Sequence, residues 1–308
     1  MDYSEVSGLR LSKICFGCEA LGGSSDCGTS SIPDIEDAIH RALELGINFF
    51  DTADVYGLGL SESRLSHILG EKRHDLVIST KVGVAWKEEE NTRAKTWKDS
   101  SPAYLRSAVE NSLRRLRLDC IPLLYSHWPD PATSIEKTFE TFGQLKEEGK
   151  IVLIGCSNYG LPELEEIIKI TPISLLQLPL NILMTKINDD LVSFCRENNI
   201  KIVTYNTLAN GLLTGKFTSD KKLDASDRRS RLPIFQGEQY LDSLKLVDGF
   251  SALAKKEKLT LPQYAIKWNL LQPCVISSIV GIKSMTQLNE NIPIDLSWHC
   301  AANIGSEK

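Results

Sequence analysis

Hydrophobic positions along this chain fall into two alternating patterns. Short runs rich in β-branched residues recur eight times, as "KICFGC", "INFFDT", "LVISTKV", "PLLYSHW", "VLIGCSN", "SLLQLP", "KIVTYN" and "VISSIVG". Apolar runs of this length, bounded by turn residues, predict buried strands. Between them lie "DIEDAIHRALELG", "PAYLRSAVENSLRRLR", "SIEKTFETFGQLKEEGK", "LPELEEIIKI" and "LPQYAIKWNLL", where apolar residues stand three and four apart. That spacing marks one inward face of a helix. The serines of "SPAY" and "SIEK" are predicted N-caps, and the glycines of "LELG" and "EEGK" predicted stops.

Strand followed by helix, repeated eight times, implies a parallel sheet with helices packed on it. Eight such units in 308 residues predict a closed (β/α)8 TIM barrel in preference to an open doubly wound sheet. No linker or low-complexity tract interrupts the pattern, so one domain spanning 1–308 is expected. Two long polar segments, 84–101 and 214–237, are predicted loops after the third and seventh strands. Both leave strand C-terminal ends, where barrels of this kind carry their active sites.

Composition narrows the function. The chain is 42% hydrophobic and 24% charged with a net charge of −5, and no basic stripe runs along it. A nucleic-acid partner is therefore not expected. No apolar run reaches bilayer-spanning length, and "MDYSEVSGLRLSK" lacks the apolar core of a signal peptide, so no membrane association and a cytoplasmic location are expected. The eight cysteines are scattered, and Cys15 and Cys18 have no second pair to complete a zinc site. They read as reduced thiols, with no metal site. No heptad or apolar stripe sets an oligomeric state.

In a barrel, side chains at strand C-termini converge on one mouth. Those ends supply Asp51 and Tyr56 after the second strand, Lys81 on the third, His127 on the fourth and Ser157 with Asn158 on the fifth. Gln177 and Tyr205 come from the sixth and seventh. A phenol, an ammonium, a carboxylate and an imidazole have a joint use. The ammonium favours the phenolate and so eases proton donation, the carboxylate fixes the ammonium, and the imidazole holds a carbonyl oxygen. Each residue also has a plainer reading: Asp51 as a turn cap, Lys81 as a solvated charge, His127 as a packed ring and Tyr56 as a loop aromatic.

With these residues in view the chain resembles the aldo-keto reductase family over nearly its whole length. "FFDTADVYGLGLSE", "ISTKVG", "SHWPDP", "LKEEGKIVLIGCSN", "YNTLANGLLTGK" and "SSIVGIKSMTQLNEN" are similar, in order, to the family's successive motifs. "SPAYLRSAVENSLRRL" and "DRRSRLPIFQGEQ" resemble a bacterial-type subgroup acting on assorted small aldehydes. The resemblance implies a catalytic tetrad of Asp51, Tyr56, Lys81 and His127, with Tyr56 as general acid, and a nicotinamide cofactor, NADPH more than NADH. It assigns Ser157, Asn158 and Gln177 to the carboxamide, Tyr205 to stacking on the ring, and Asn206, Leu208, Lys216, Gly281, Lys283, Gln287 and Asn291 to the rest of the cofactor. Lys283, Gln287 and Asn291 stand four apart, hence on one helical face, near a predicted helix start that suits a phosphate. Segment Gly215–Gly237 is then a lid, to which Lys216, Arg228, Arg229 and Arg231 lend charge unless they are simply a solvated basic run.

Several positions depart from the family's pattern. Asn206 and Thr207 stand where serine or threonine and then proline are usual, and Leu180 where an aromatic is usual. Glu19 ends the first strand where tryptophan is often found; it faces the pocket and favours a polar, amine-bearing substrate, or it turns out to solvent. Trp86 and Trp128 are candidate pocket walls. The expected activity is reduction of an aldehyde, ketone or sugar carbonyl. Two alternatives stand beside it: the same site run backwards as a dehydrogenase, and a cofactor-binding regulatory subunit with little turnover. Against the second, no docking segment precedes the first strand.

Overall fold

A computed structural model of the chain describes residues 1–23, 31–88, 94–185 and 188–293. Eight strands close into a barrel: β1 Ile14–Gly17, β2 Phe49–Asp51, β3 Val77–Val82, β4 Ile121–Ser126, β5 Ile151–Ser157, β6 Leu175–Pro179, β7 Lys201–Tyr205 and β8 Val275–Gly281. Every neighbouring pair runs parallel, in chain order, and β8 pairs back with β1. Each of the eight apolar runs is therefore a barrel strand. The surrounding helices are α1 Ile32–Glu44, α2 Leu60–Leu69, α3 Pro102–Leu116, α4 Ile135–Glu147, α5 Leu161–Ile167, α6 Asp189–Glu197, α7 Gly237–Lys256, α8 Leu261–Leu270 and α9 Met285–Asn291.

Helical spacing translates directly into burial. On α3, Leu105, Ala108, Val109, Ser112, Leu113 and Leu116 are buried, the inward stripe of a 3.6-residue repeat. The predicted stops hold, since Gly46 and Gly149 follow α1 and α4 with φ of 83° and 73°. Of the two predicted caps, Ser134 accepts from the Lys137 N–H at 3.3 Å, whereas the Ser101 side chain makes no cap bond. The fixed φ of Pro102 already suits the first turn there.

Alternation within each strand separates two cores. Phe16, Phe50, Ile78, Leu124, Ile154, Leu176, Ile202 and Val280 face outward into the helix layer. Cys15, Phe49, Val77, Leu123, Tyr125, Leu153, Leu175 and Val203 pack along the barrel axis. The N-terminal residues plug the far end: Tyr3–Val6 and Leu9–Ser12 form an antiparallel hairpin whose Val6 and Leu11 join the axial cluster. Its turn residues Ser7 and Gly8 both have positive φ, 47° and 89°, as a two-residue hairpin turn demands.

One predicted loop is corrected. Within 84–101, Val84–Lys87 and Lys95–Lys98 pair as an antiparallel hairpin, while 89–93 lie outside the described residues. The lysines masked a strand alternation of Val, Trp and Thr that the pairing reveals. Segment 214–237 keeps its loop character, with short 3₁₀ turns at Arg228–Arg231 and Pro233–Phe235. Among the described cysteines all are free, and Cys27 and Cys300 lie outside the described residues. No described helix is long and apolar enough to cross a membrane.

Candidate active site

The mouth at the strand C-termini opens into one elongated cavity of about 800 Å³. Asp51, Tyr56, Lys81 and His127 all line it, brought together from three strand ends and the turn after β2. Asp51 and Lys81 are almost fully buried, at 3% and 1% exposure, so their charges must be satisfied internally. The Lys81 ammonium donates to Asp51 Oδ1 and, at 2.9 Å, to the Thr52 carbonyl. Asp51 Oδ2 accepts from Ser79 Oγ at 2.7 Å and from Gln177 Nε2 at 3.0 Å. A carboxylate held this fully cannot rotate, and it fixes the lysine with it.

Tyr56 is positioned by a close backbone approach. The turn that carries it packs against the turn after β1, where a Cβ on Gly57 would lie 2.2 Å from the Gly22 carbonyl oxygen. Gly57 also has φ +59°, so both space and conformation exclude a side chain there. The Lys81 nitrogen lies 5.2 Å from the centre of the Tyr56 ring, and the His127 ring meets it edge-on at 6.1 Å.

Electrostatics assigns protonation states. Burial depresses the Lys81 ammonium, but the neighbouring Asp51 carboxylate and Tyr56 raise it further, leaving it above its ordinary value and charged. Burial and the Lys81 charge hold His127 down at about 3, so its ring is neutral at physiological pH. The phenol of Tyr56 corrects the sequence expectation. Lys81 does pull it down, yet burial pushes up harder, and Glu19 and Asp51 push the same way. Tyr56 is thus a protonated donor whose ammonium neighbour moderates, without reversing, the effect of burial.

Residues expected to touch a cofactor line the same cavity: Ser157, Asn158, Gln177, Tyr205, Asn206, Leu208, Lys216, Gly281, Lys283, Gln287 and Asn291. The free hydrogen-bonding capacity near Tyr56 can be compared with a carboxamide. Asn158 is largely engaged, donating to the His127 carbonyl and Ser157 Oγ and accepting from the Tyr205 hydroxyl at 2.6 Å. It orients its neighbours more than it awaits a ligand. The Gln177 carbonyl oxygen and the Ser157 hydroxyl remain, an acceptor and a donor that fit the two ends of an amide.

At the far end, cationic side chains gather from Lys216, Lys283, Arg228 and Arg229. The expected helix-end phosphate site is revised. Ser284 Oγ caps α9, a helix of only seven residues, and the Lys283 N–H is given to the Gln287 side chain at 2.9 Å. What this end offers an anion is therefore side-chain charge rather than helix N–H groups. Lys216 is exposed and paired with Glu290 at 2.8 Å, and Arg231 does not line the cavity. An amide-binding pair at one end and cations at the other, joined by the cavity, suit an extended dinucleotide.

The remaining pocket expectations divide. Trp128 lines the cavity and is 39% exposed, whereas Trp86 does not line it. The alternation of the 84–98 hairpin buries Ala85 and turns Trp86 to the other face. Glu19 is largely exposed yet lines the cavity, and its carboxylate stands 3.7 Å from Arg228. Leu180 is buried in the helix-side core and does not line the cavity. Asn206 adopts φ +57°, and Thr207, in the place where proline is usual, ties this loop to β8 by hydroxyl contacts to Ser278 at 2.8 Å and the Ile279 carbonyl at 3.0 Å.

Sequence reading missed Ser79 and the Thr52 carbonyl, both of which hold the Asp51–Lys81 pair. Ser79 stands two residues before Lys81 on β3, hence on the same face, a period-2 signal that could have found it. Nothing local marks a backbone carbonyl.

Comparison with known proteins supplies the remaining context. The sequence profile of the aldo/keto reductase family matches residues 13–294. The chain is 32% identical over 293 residues to the aldo-keto reductase YhdN of Bacillus subtilis, covering 94% of this chain and 87% of that protein. It is 30% identical over 298 residues to the NADH-specific methylglyoxal reductase of Escherichia coli, covering 92% and 90%. Among solved structures, the glycerol dehydrogenase AKR11B4 of Gluconobacter oxydans superposes with a TM-score of 0.88 at 33% identity, over 96% of this chain and 90% of that one.

Proposed function

The chain belongs to the aldo/keto reductase family of NAD(P)H-dependent oxidoreductases, and within it we propose that this member reduces the carbonyl of a small aldehyde, ketone or sugar with NADPH. The observation that carries the reading is a protonated phenol, a charged lysine and a neutral imidazole converging on one cavity.

The bound nicotinamide supplies the hydride. Tyr56 gives its proton to the carbonyl oxygen as negative charge grows there. Lys81, held by Asp51, stabilises the phenolate left behind. Neutral His127 donates an N–H to the same oxygen, which orients the carbonyl without adding a second acid. Ser157 and Gln177 hold the carboxamide, and Tyr205, itself oriented by Asn158, lies along the ring.

Lys283 and the arginines of the loop after β7 favour the 2′-phosphate of NADPH, although one relative is NADH-specific by name. The similarity to a glycerol dehydrogenase favours a second reading, oxidation of an alcohol by the same residues in reverse. The ratio of reduced to oxidised cofactor decides between the two directions.

The test follows the absorbance of NADPH and, separately, NADH with a panel of small aldehydes, and titrates both cofactors by protein fluorescence. NADPH oxidation, with tighter binding of NADPH than NADH, is the expected result. Tight cofactor binding with no turnover on any carbonyl or alcohol would replace this reading with that of a cofactor-binding regulatory subunit.

A further inference from the structure

Glu19 sits in the 3₁₀ turn Glu19–Gly22 after β1, and Arg228 opens the turn Arg228–Arg231 in the long loop after β7. Although some 200 positions apart in sequence, they meet across the cavity mouth, Arg228 Nη2 lying 3.7 Å from Glu19 Oε1. Both line the cavity that holds Tyr56, His127 and Trp128. We propose that the Glu19–Arg228 pair is the specificity determinant of this enzyme and selects short, neutral, polyhydroxylated carbonyl substrates. The proposal rests on the carbonyl-reduction reading above and names the substrate class of that site.

Three features carry it. First, the pair is loose and open: a contact at 3.7 Å, with the side chains 59% and 43% exposed, leaves carboxylate lone pairs available to a ligand. Second, the two charges nearly cancel. An amine gains little from a carboxylate already matched by a guanidinium, and an acid gains little from Arg228, so the amine-bearing substrate expected from sequence is not favoured. Neutral hydroxyl groups, which both donate and accept, suit a carboxylate beside a guanidinium. Third, an alkyl chain would strip water from both charges and return nothing, whereas a hydroxylated chain replaces those water contacts. Trp128 supplies apolar surface for the carbon backbone.

Glu19 also acts on the general acid, since its carboxylate is among the groups that raise the Tyr56 phenol. Substrate hydroxyls bound at Glu19 therefore lie within electrostatic reach of the reacting centre.

The experiment compares glyceraldehyde with propanal, which share a three-carbon chain and differ in hydroxyls, using wild type, Glu19→Leu and Glu19→Gln. The readout is the ratio of the two kcat/KM values. Wild type is expected to prefer glyceraldehyde. Glu19→Leu should lower the ratio about 10-fold, the scale of one hydrogen bond to a charged group. Glu19→Gln, which keeps the hydrogen-bonding shape, should restore much of it. An unchanged ratio in Glu19→Leu, an equal loss on both substrates, or a wild-type preference for an aminoaldehyde over glyceraldehyde would each overturn the proposal. Wild-type enzyme that binds NADPH yet turns over neither aldehyde would instead overturn the reductase reading on which this rests.

Discussion

Two buried clusters of charge lie on either side of one short turn, residues 51–57. Toward the cavity, Asp51 pairs with Lys81 and accepts further bonds from Ser79 and Gln177. Toward the helix layer, Glu62 of α2, fully buried, accepts from Thr80 at 2.6 Å and pairs with Arg115 of α3 at 2.6 Å. Beside it lies Asp54, also fully buried, with neither carboxylate oxygen meeting a partner in good hydrogen-bond geometry. Burial raises the Asp54 carboxyl well above the usual range, and Glu62 raises it further, against the pull of Arg115, the Val55 N–H and Lys81. Asp54 and Glu62 thus divide one charge: Glu62 keeps it, Asp54 is held as a neutral acid. The composition of the two clusters is alike. What separates them is that the first converges on open volume with a phenol and an imidazole, and the second does not. Burial and perturbed protonation alone do not mark a catalytic centre; access does.

Removing the cation from each cluster sharpens the contrast. Lys81→Met should cut kcat by about 10²- to 10⁴-fold, because Tyr56 loses the charge that supports its phenolate. It should also cost about 3–5 kcal/mol of stability, since Asp51 is left buried and uncompensated. Arg115→Met should cost about 3 kcal/mol, the lower end because Arg115 is 22% exposed, while kcat per folded molecule stays at the wild-type level. Steady-state kinetics beside urea unfolding reads both. Equal kinetic losses would erase the distinction drawn between the clusters.

A smaller effect is expected at Asp54. Its folded state keeps a proton that the unfolded chain releases above about pH 4. The folded pKa is raised, so stability is greatest below the unfolded value and falls as pH rises toward the folded one. Asp54→Asn removes that dependence. Its stability relative to wild type should therefore grow between pH 4 and pH 8, reaching on the order of 1 kcal/mol. Melting temperatures across that range measure it; a gain that shrinks with rising pH would mean Asp54 is ionised in the fold.

The sequence carried the architecture because local patterns dictate it. Each apolar run had to be buried on both faces, and the repeated strand–helix alternation allowed few closures. Asp51, Lys81, His127, Ser157 and Tyr205 were legible for the same reason: barrel topology places strand ends together whatever their separation. The turn chemistry of Gly46, Gly149 and Ser134 was legible in single residues. What escaped depends on partners that no local pattern names. The Glu19–Arg228 contact joins two loops, and the orientation of Trp86 follows from a hairpin hidden by lysines. Asp54 sits two residues from Tyr56 in the same motif, and only tertiary packing shows that one faces helices and the other the cavity. The net direction of the Tyr56 shift was missed because burial, a property of the whole fold, outweighs the neighbour that sequence could identify.

The central claim is that Tyr56 donates the proton during carbonyl reduction. Tyr56→Phe removes one hydroxyl and keeps the ring that packs beside His127 and Lys81. NADPH binding, followed by fluorescence, should persist in this variant while its rate of NADPH oxidation with glyceraldehyde falls by about 10²- to 10⁴-fold. Equal rates in variant and wild type, with binding intact in both, would contradict the assignment of Tyr56 as the acid.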